Sequence, residues 1–259
     1  MPNRSWFRRP PLLNIADDRG AGPVVVLIHG IASSSVTFQN VMPLIVDRHR
    51  AICIDLLGFG GSPIPDGAEY TLDEHIAAIH RTIRSLRLRE PFTLVGHSMG
   101  ALFAPRYASR FAREVSAVVM VSPPIYLDPA ELSQPLDRIR QDFYLRAYRF
   151  VRTNQQFTLR NAAAVERLLS IPKAMDITER TWVPFVKSLE HAIESQTTIS
   201  DLAALRVPAD IVVGDLDEFS SPGGLRIAER IRGVTVHRVR ASDHLIAPRM
   251  AAEVARVIG

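Results

Sequence analysis

The sequence predicts an α/β fold: a mostly parallel central sheet flanked by helices, with an inserted helical segment. Three observations carry that expectation. Short apolar runs alternate with segments of helical periodicity, the pattern that successive strand–helix–strand units require. Runs such as Val24-Val25-Val26-Leu27-Ile28 are continuous rather than alternating, which suits strands buried on both faces. The run Phe92 to Val95 stops at Gly96-His97-Ser98-Met99-Gly100, a G-x-S-x-G turn, and a helical pattern marked by Leu102, Phe103, Tyr107 and Phe111 follows it.

In chain order, residues 1–20 are polar, with an edge strand expected around Leu12 to Ile15. After Val24–Ile28 comes the polar loop from His29-Gly30-Ile31 to Ser35, which can cap a helix holding Phe38, Val41 and Leu44. The next strand, Ala51 to Ile54, runs into Asp55-Leu56-Leu57-Gly58-Phe59-Gly60-Gly61-Ser62. Thr71-Leu72-Asp73-Glu74 is a capping box. The helix it opens carries Leu72, Ile76, Ile79, Ile83 and Leu86 on one stripe and Arg81, Arg84 and Arg87 off it. Pro105 falls inside the helix after the serine turn, where its missing N–H is expected to kink or open that turn. After the strand Ala117–Val121 the rhythm breaks. Helices are expected around Leu136–Val151, Ala162–Leu169 and Trp182–Ile193 before strands resume at Ala209–Val213 and Val234–His237 and a helix closes the chain at Met250–Ile258. The division that follows is a core of 1–125 and 204–259 and an inserted lid of 126–203.

Composition narrows the function. Of 259 residues, 47% are hydrophobic, enough for a sizeable core. The single cysteine, Cys53, sits in an apolar run, so no intramolecular disulfide exists and a reducing, cytoplasmic setting is the natural expectation. No signal-peptide pattern and no membrane-length apolar run is present, so no membrane partner is expected. The net charge of +4 is mostly arginine, scattered at helical spacing among acids, which argues against nucleic acid. Gly58-Phe59-Gly60 resembles a dinucleotide turn, but Pro63 and Pro65 leave no helix start to seat a pyrophosphate. His75 and His80 stand about 140° apart on their helix and cannot share a metal. No cofactor and no metal is expected. The sequence specifies no oligomeric state.

The chemistry starts from Ser98. Its turn forces a strained backbone and pushes the hydroxyl above the sheet edge, while the Met99 N–H at a helix start is free to meet negative charge. A serine hydroxyl needs a base, and the base needs a group to orient it. Gly214-Asp215-Leu216-Asp217-Glu218-Phe219 and Ala241-Ser242-Asp243-His244-Leu245 each follow a strand and supply the order Ser, Asp, His. Asp215 and Glu218 are rivals to Asp217 as the acid, and Asp128 is a more distant one. His29 is expected to stabilise its own loop, and His49, His75, His80, His97, His191 and His237 to pack or face solvent.

Taken together, His29-Gly30-Ile31, Asp55–Ser62, Gly96–Gly100, Gly214–Asp217 and His244 resemble, in order, the motifs of α/β-hydrolase-fold proteins over nearly the whole chain. The resemblance implies Ser98 as nucleophile, His244 as general base and then acid, Asp217 as orienting carboxylate, and the backbone N–H groups of Ile31 and Met99 as the oxyanion hole. Dehalogenases and epoxide hydrolases of this fold carry aspartate in place of Ser98, so the resemblance points to acyl transfer to water. A small-molecule carboxylic ester is the first expectation. C–C bond hydrolase, lactonase, thioesterase or cofactor-free perhydrolase chemistry is the alternative, and a slow-turnover binding or sensory module the second. In the lid, Phe143, Tyr144, Tyr148, Phe150, Trp182, Phe185 and Leu189 are candidates to line the pocket. Arg138, Arg140, Arg146, Arg149, Arg152, Arg160 and Arg167 are candidates to hold a substrate carboxylate.

Overall fold

The computed structural model describes residues 9–127, 132, 134–166 and 175–259. Within them the strands β1 (Ile15–Arg19), β2 (Val24–Ile28), β3 (Arg50–Ile54), β4 (Phe92–His97), β5 (Val115–Val121), β6 (Ala209–Gly214) and β7 (Val234–Val239) form one sheet. Their order is β1-β3-β2-β4-β5-β6-β7, with β1 antiparallel to β3 and every other pairing parallel. The helices are α1 (Met42–Ile45), α2 (Leu72–Ser85), α3 (Met99–Arg110), α4 (Pro135–Thr153), α5 (Gln155–Glu166), α6 (Trp182–Ser188), α7 (Thr198–Ala203), α8 (Pro222–Ala228) and α9 (Pro248–Ile258).

Alternate residues of the central strands enter two separate cores, which is what a continuous apolar run provides. Val26 and Ile28 of β2 join Ile76 and Ile79 of α2 and Leu102 and Phe103 of α3. Val25 and Leu27 face the other way, towards Ile45 of α1 and Met250 and Val254 of α9. Cys53 lies in this second core, with its thiol 3.6 Å from the Met42 sulfur, and burial pushes its pKa up to about 12. Register then decides where the loops emerge. His97 is level with Val121, Val121 with Val212, and Gly214 with Val239, so the segments after β4, β5, β6 and β7 leave the sheet along one edge. The β7 end of that edge is the weak one, since all its residues except Val239 are at least partly exposed.

Four expectations shift. The edge strand is Ile15–Arg19 rather than Leu12–Ile15: Leu13 is buried below the sheet, and the charged Asp17, Asp18 and Arg19 make the pairing. Charge on an edge strand deters further pairing, and here Asp18 also accepts two bonds from Arg50 of β3 at 2.8 and 2.7 Å. The helix expected to hold Phe38, Val41 and Leu44 is instead a single 3-10 turn, Ser35–Phe38, followed by α1. Pro43 has no N–H for a helix running through it, so the helix restarts at Met42 and buries Ile45 while Leu44 faces solvent. By contrast, α3 continues through Pro105 to Arg110. Between β5 and β6, α6 passes into a π-turn, Leu189–Ile193; of the expected helix Ala162–Leu169, residues beyond 166 lie outside the described residues.

The capping box forms as predicted. Thr71 Oγ1 accepts from the Glu74 N–H at 3.2 Å, and Glu74 Oε2 accepts from the Thr71 and Glu69 N–H groups at 3.3 and 2.9 Å. Thr71→Ala is expected to lower the unfolding free energy by about 1 kcal/mol. Urea denaturation checks this, and an unchanged midpoint would show that α2 does not need its cap.

Candidate active site

Ser98 stands between β4 and α3 with φ +53° and ψ −118°, the left-handed side of backbone space where a β-carbon is crowded. Two glycines make the turn possible. A β-carbon on Gly96 would lie 2.2 Å from the Gly100 carbonyl oxygen, and one on Gly100 would lie 2.3 Å from that of Ile28. The Ser98 N–H is held by the Val121 carbonyl at 2.9 Å. Its hydroxyl points at the wall of a cavity and meets His244 Nε2 at 3.0 Å. His244 Nδ1 lies 3.0 Å from Asp217 Oδ1, which also accepts from the Phe219 N–H at 3.0 Å. With Nδ1–H donated to the carboxylate, Nε2 is left to accept the serine proton.

The acid loop and the histidine loop are tied together. Leu216 N–H donates to the Ser242 carbonyl at 3.0 Å, and the Phe219 ring stands edge-on to His244, centroids 4.8 Å apart. Asp217 is fully buried at its side chain. Burial alone would raise its pKa. The charge and hydrogen bond of His244, with the Phe219 N–H, outweigh burial and hold it below the usual carboxylate range. Its second oxygen, Oδ2, has no hydrogen-bond partner, and neither has the buried Ser122 hydroxyl. Of the rival acids, Asp215 and Glu218 are exposed, and Asp128 lies outside the described residues.

His97, expected only to pack, does more. Its buried ring donates from Nε2 to the main-chain carbonyl of His244 at 2.9 Å. Burial, with the His244 ring beside it, holds its pKa down at about 3. An imidazole neutral near physiological pH thus anchors the histidine loop, helped by Asn40 Nδ2 on the Ile246 carbonyl at 3.0 Å. The position of His97 beside the serine was the available signal, and sequence alone gave it no partner.

His29 holds the other loop. Its Nε2 accepts from the Leu56 N–H at 2.9 Å, leaving Nδ1–H to donate to the Gly30 carbonyl at 2.7 Å. Burial lowers its pKa, in keeping with that neutral form. Gly30 and Ile31 line the same cavity as Ser98 and His244, and Met99, the first residue of α3, carries one of the N–H groups a helix start leaves without an intrahelical acceptor. Among the described residues no group of His, Cys, Asp or Glu side chains could hold a metal ion. His75 is buried against Phe103 and bonded to Ser188, and His80 stacks on Phe111.

The cavity measures about 390 Å³. Tyr148, Val151, Phe185, Leu189 and Ile193 make much of its wall, with Pro124 and Phe219 beside them. Of the aromatic candidates, Phe143 and Phe150 face outward instead, Trp182 packs on Phe185, and Tyr144 packs on Tyr126 and Phe219. Among the described residues no lysine or arginine lines the cavity. Arg138 donates to the Leu132 carbonyl, Arg152 pairs with Glu190 and Glu194, and Arg146 pairs with Asp142. Arg167 lies outside the described residues.

Residues 23–170 match the family model of the alpha/beta hydrolase fold, so the chain belongs to that family. It is 35% identical over 117 residues to probable lysophospholipase BODYGUARD 1 of Arabidopsis thaliana, a match spanning 43% of this chain and 25% of the relative. It is 34% identical over 107 residues to the 2-hydroxy-6-oxo-6-(2'-aminophenyl)hexa-2,4-dienoic acid hydrolase of Metapseudomonas resinovorans, spanning 40% and 37%. The match thus spans about a quarter to two fifths of the length of these curated relatives. Among solved structures, a bromoperoxidase from Bacillus anthracis superposes with a TM-score of 0.70 at 25% identity, covering 93% of this chain and 92% of that one.

A carboxyl held below its unfolded value adds stability above the unfolded range and loses it as pH falls through the folded value. The stability difference between the parent chain and Asp217→Asn is therefore expected near neutral pH and to shrink below about pH 4. Urea titrations across that range measure it, and a difference independent of pH would mean the site does not hold this carboxylate charged.

Proposed function

We propose that the chain is a serine-dependent hydrolase of carboxylic esters with uncharged, largely apolar acyl groups of small to medium size. The observation that carries this reading is the continuous relay from Ser98 Oγ to His244 Nε2 and from His244 Nδ1 to Asp217, each link 3.0 Å. His244 takes the hydroxyl proton as Ser98 attacks the ester carbonyl. The oxyanion that forms is received by the N–H groups of Met99 and Ile31. His244 then protonates the departing alcohol, leaving an acyl group on Ser98. A water deprotonated by the same imidazole attacks that acyl group, and collapse frees the acid and restores the serine. Asp217 fixes the tautomer and stabilises the imidazolium. Each oxyanion donor is worth ~10²–10³ in rate.

The segment 126–203 is the lid over a core of 1–125 and 204–259, and it sets the acyl preference. A cavity of about 390 Å³ has room for about a dozen carbon-sized atoms, taking the ~30 Å³ that a water occupies in the liquid. Its apolar wall and the lack of a described cation disfavour an acid substrate of the kind named for the Metapseudomonas relative. A thioester fits the same steps. The single buried Cys53 suits a reducing, cytoplasmic setting.

A series of p-nitrophenyl esters of rising acyl length tests the reading. Turnover is expected to peak at medium length and to fall by at least ~10⁴-fold in Ser98→Ala. Asp217→Asn is expected to lose ~10⁴-fold in kcat, while Asp215→Asn stays near the parent. Tight ligand binding with no Ser98-dependent turnover would instead make the chain a binding module. Preference for acyl groups bearing a carboxylate would overturn the proposed substrate class.

A further inference from the structure

The lid helix α4 is amphipathic in an unusual sense. Its inner side brings Tyr148 and Val151 to the cavity wall and buries Gln141, which accepts from the Leu127 N–H at 2.9 Å. Its outer side is also apolar. At 100° per residue, Leu136, Ile139, Phe143 and Phe150 fall within an arc of about 60° on that side. They are exposed by 76, 67, 66 and 50%. Phe157 of α5, 54% exposed, stands edge-to-face on Phe150 with centroids 5.4 Å apart and extends the ridge. Single exposed apolar residues are ordinary, but a contiguous row marks a surface with a partner.

Charge says which partner. Arg140 and Arg146 border the stripe on its two sides, and Arg149 and Arg160 are exposed on the same pair of helices. Of the acids described there, Asp137 is buried against Arg226, and Asp142 is bound to Arg146 at 2.7 Å. A second copy docked stripe to stripe would set arginine rows against each other. An anionic headgroup layer would neutralise them while the apolar ridge sank below it.

We propose that the outer face of α4, continued by Phe157, docks the protein on an anionic lipid surface, the helix lying in the plane of the interface. A helix of 19 residues carrying five arginines lies on a bilayer rather than through it, and no helix among the described residues is long and apolar enough to cross one. This departs from the expectation of no membrane partner, which weighed a signal-peptide pattern and spanning segments. Because Tyr148 and Val151 belong to the docked helix, the cavity wall then lies one helix thickness, ~10 Å, from the lipid. Adhesion is independent of whether Ser98 cleaves esters.

Flotation of the full chain with vesicles of phosphatidylcholine, with and without phosphatidylglycerol, tests the proposal. The parent chain is expected to float with the anionic vesicles at low salt, to stay behind with neutral ones, and to release at high salt. The double substitution Phe143→Ser, Phe150→Ser should abolish flotation. Arg140→Gln with Arg146→Gln should weaken it by about 30-fold. Both variants should keep the parental melting temperature, since the residues face solvent. No flotation of the parent, flotation unaffected by either substitution, or a dimer in sedimentation that depends on the same phenylalanines would each overturn it.

Discussion

The site depends on a contact with no room for a side chain. The first turn of α3 presses against the end of β2 so closely that Gly100 can carry no β-carbon, and the same approach forces Ser98 to φ +53°. A non-glycine residue held there stores roughly 1–3 kcal/mol of strain, which persists only because surrounding packing over-determines it. Here the determinants are β4 at the middle of the sheet, the Ser98 N–H on the Val121 carbonyl, and a buried helix face with Leu102, Phe103 and Tyr107 in the core. The serine hydroxyl is therefore placed by the sheet rather than by its own loop, and a partner histidine can meet it with little adjustment.

Burial gives the histidines their separate tasks. His29, His75 and His97 all lie in surroundings that depress their pKa, so each acts as a fixed neutral donor or acceptor. His244 is more open, with a carboxylate on one nitrogen and the serine on the other. One residue type thus serves as staple in three places and, on the proposed reading, as proton carrier in one, the difference set by depth and partners.

Much of this was legible in sequence because strong local signals agree with the fold. The apolar runs of β2, β4 and β5 are long enough to fix the parallel sheet, and Thr71 with Glu74 marks the start of α2 to the residue. The order of Ser98, Asp217 and His244 after successive strands placed three distant side chains on one edge before any coordinate did. What stayed hidden depends on long-range placement. β1 is charged because it is an edge, so it carries no apolar signature. α8 is short and opens with Pro222-Gly223-Gly224, which reads as a turn; only the packed structure shows Ser221 capping it. Helical spacing put Phe143 and Tyr148 on the same list of pocket residues, yet they stand on opposite sides of α4. Periodicity gives angles around a helix, not which side meets the rest of the protein.

The exposure of β7 bears on how the protein fails. Ser98 follows the interior strand β4, whereas His244 follows β7, the outermost strand on that side, and 146 positions separate the two along the chain. Strands with few buried contacts open at lower free energy than the body of a domain. Loosening of β7 withdraws the imidazole while the central strands, Ser98 and the strained turn remain in place. On the proposed reading, such a state is still folded and still presents its serine but has lost its base.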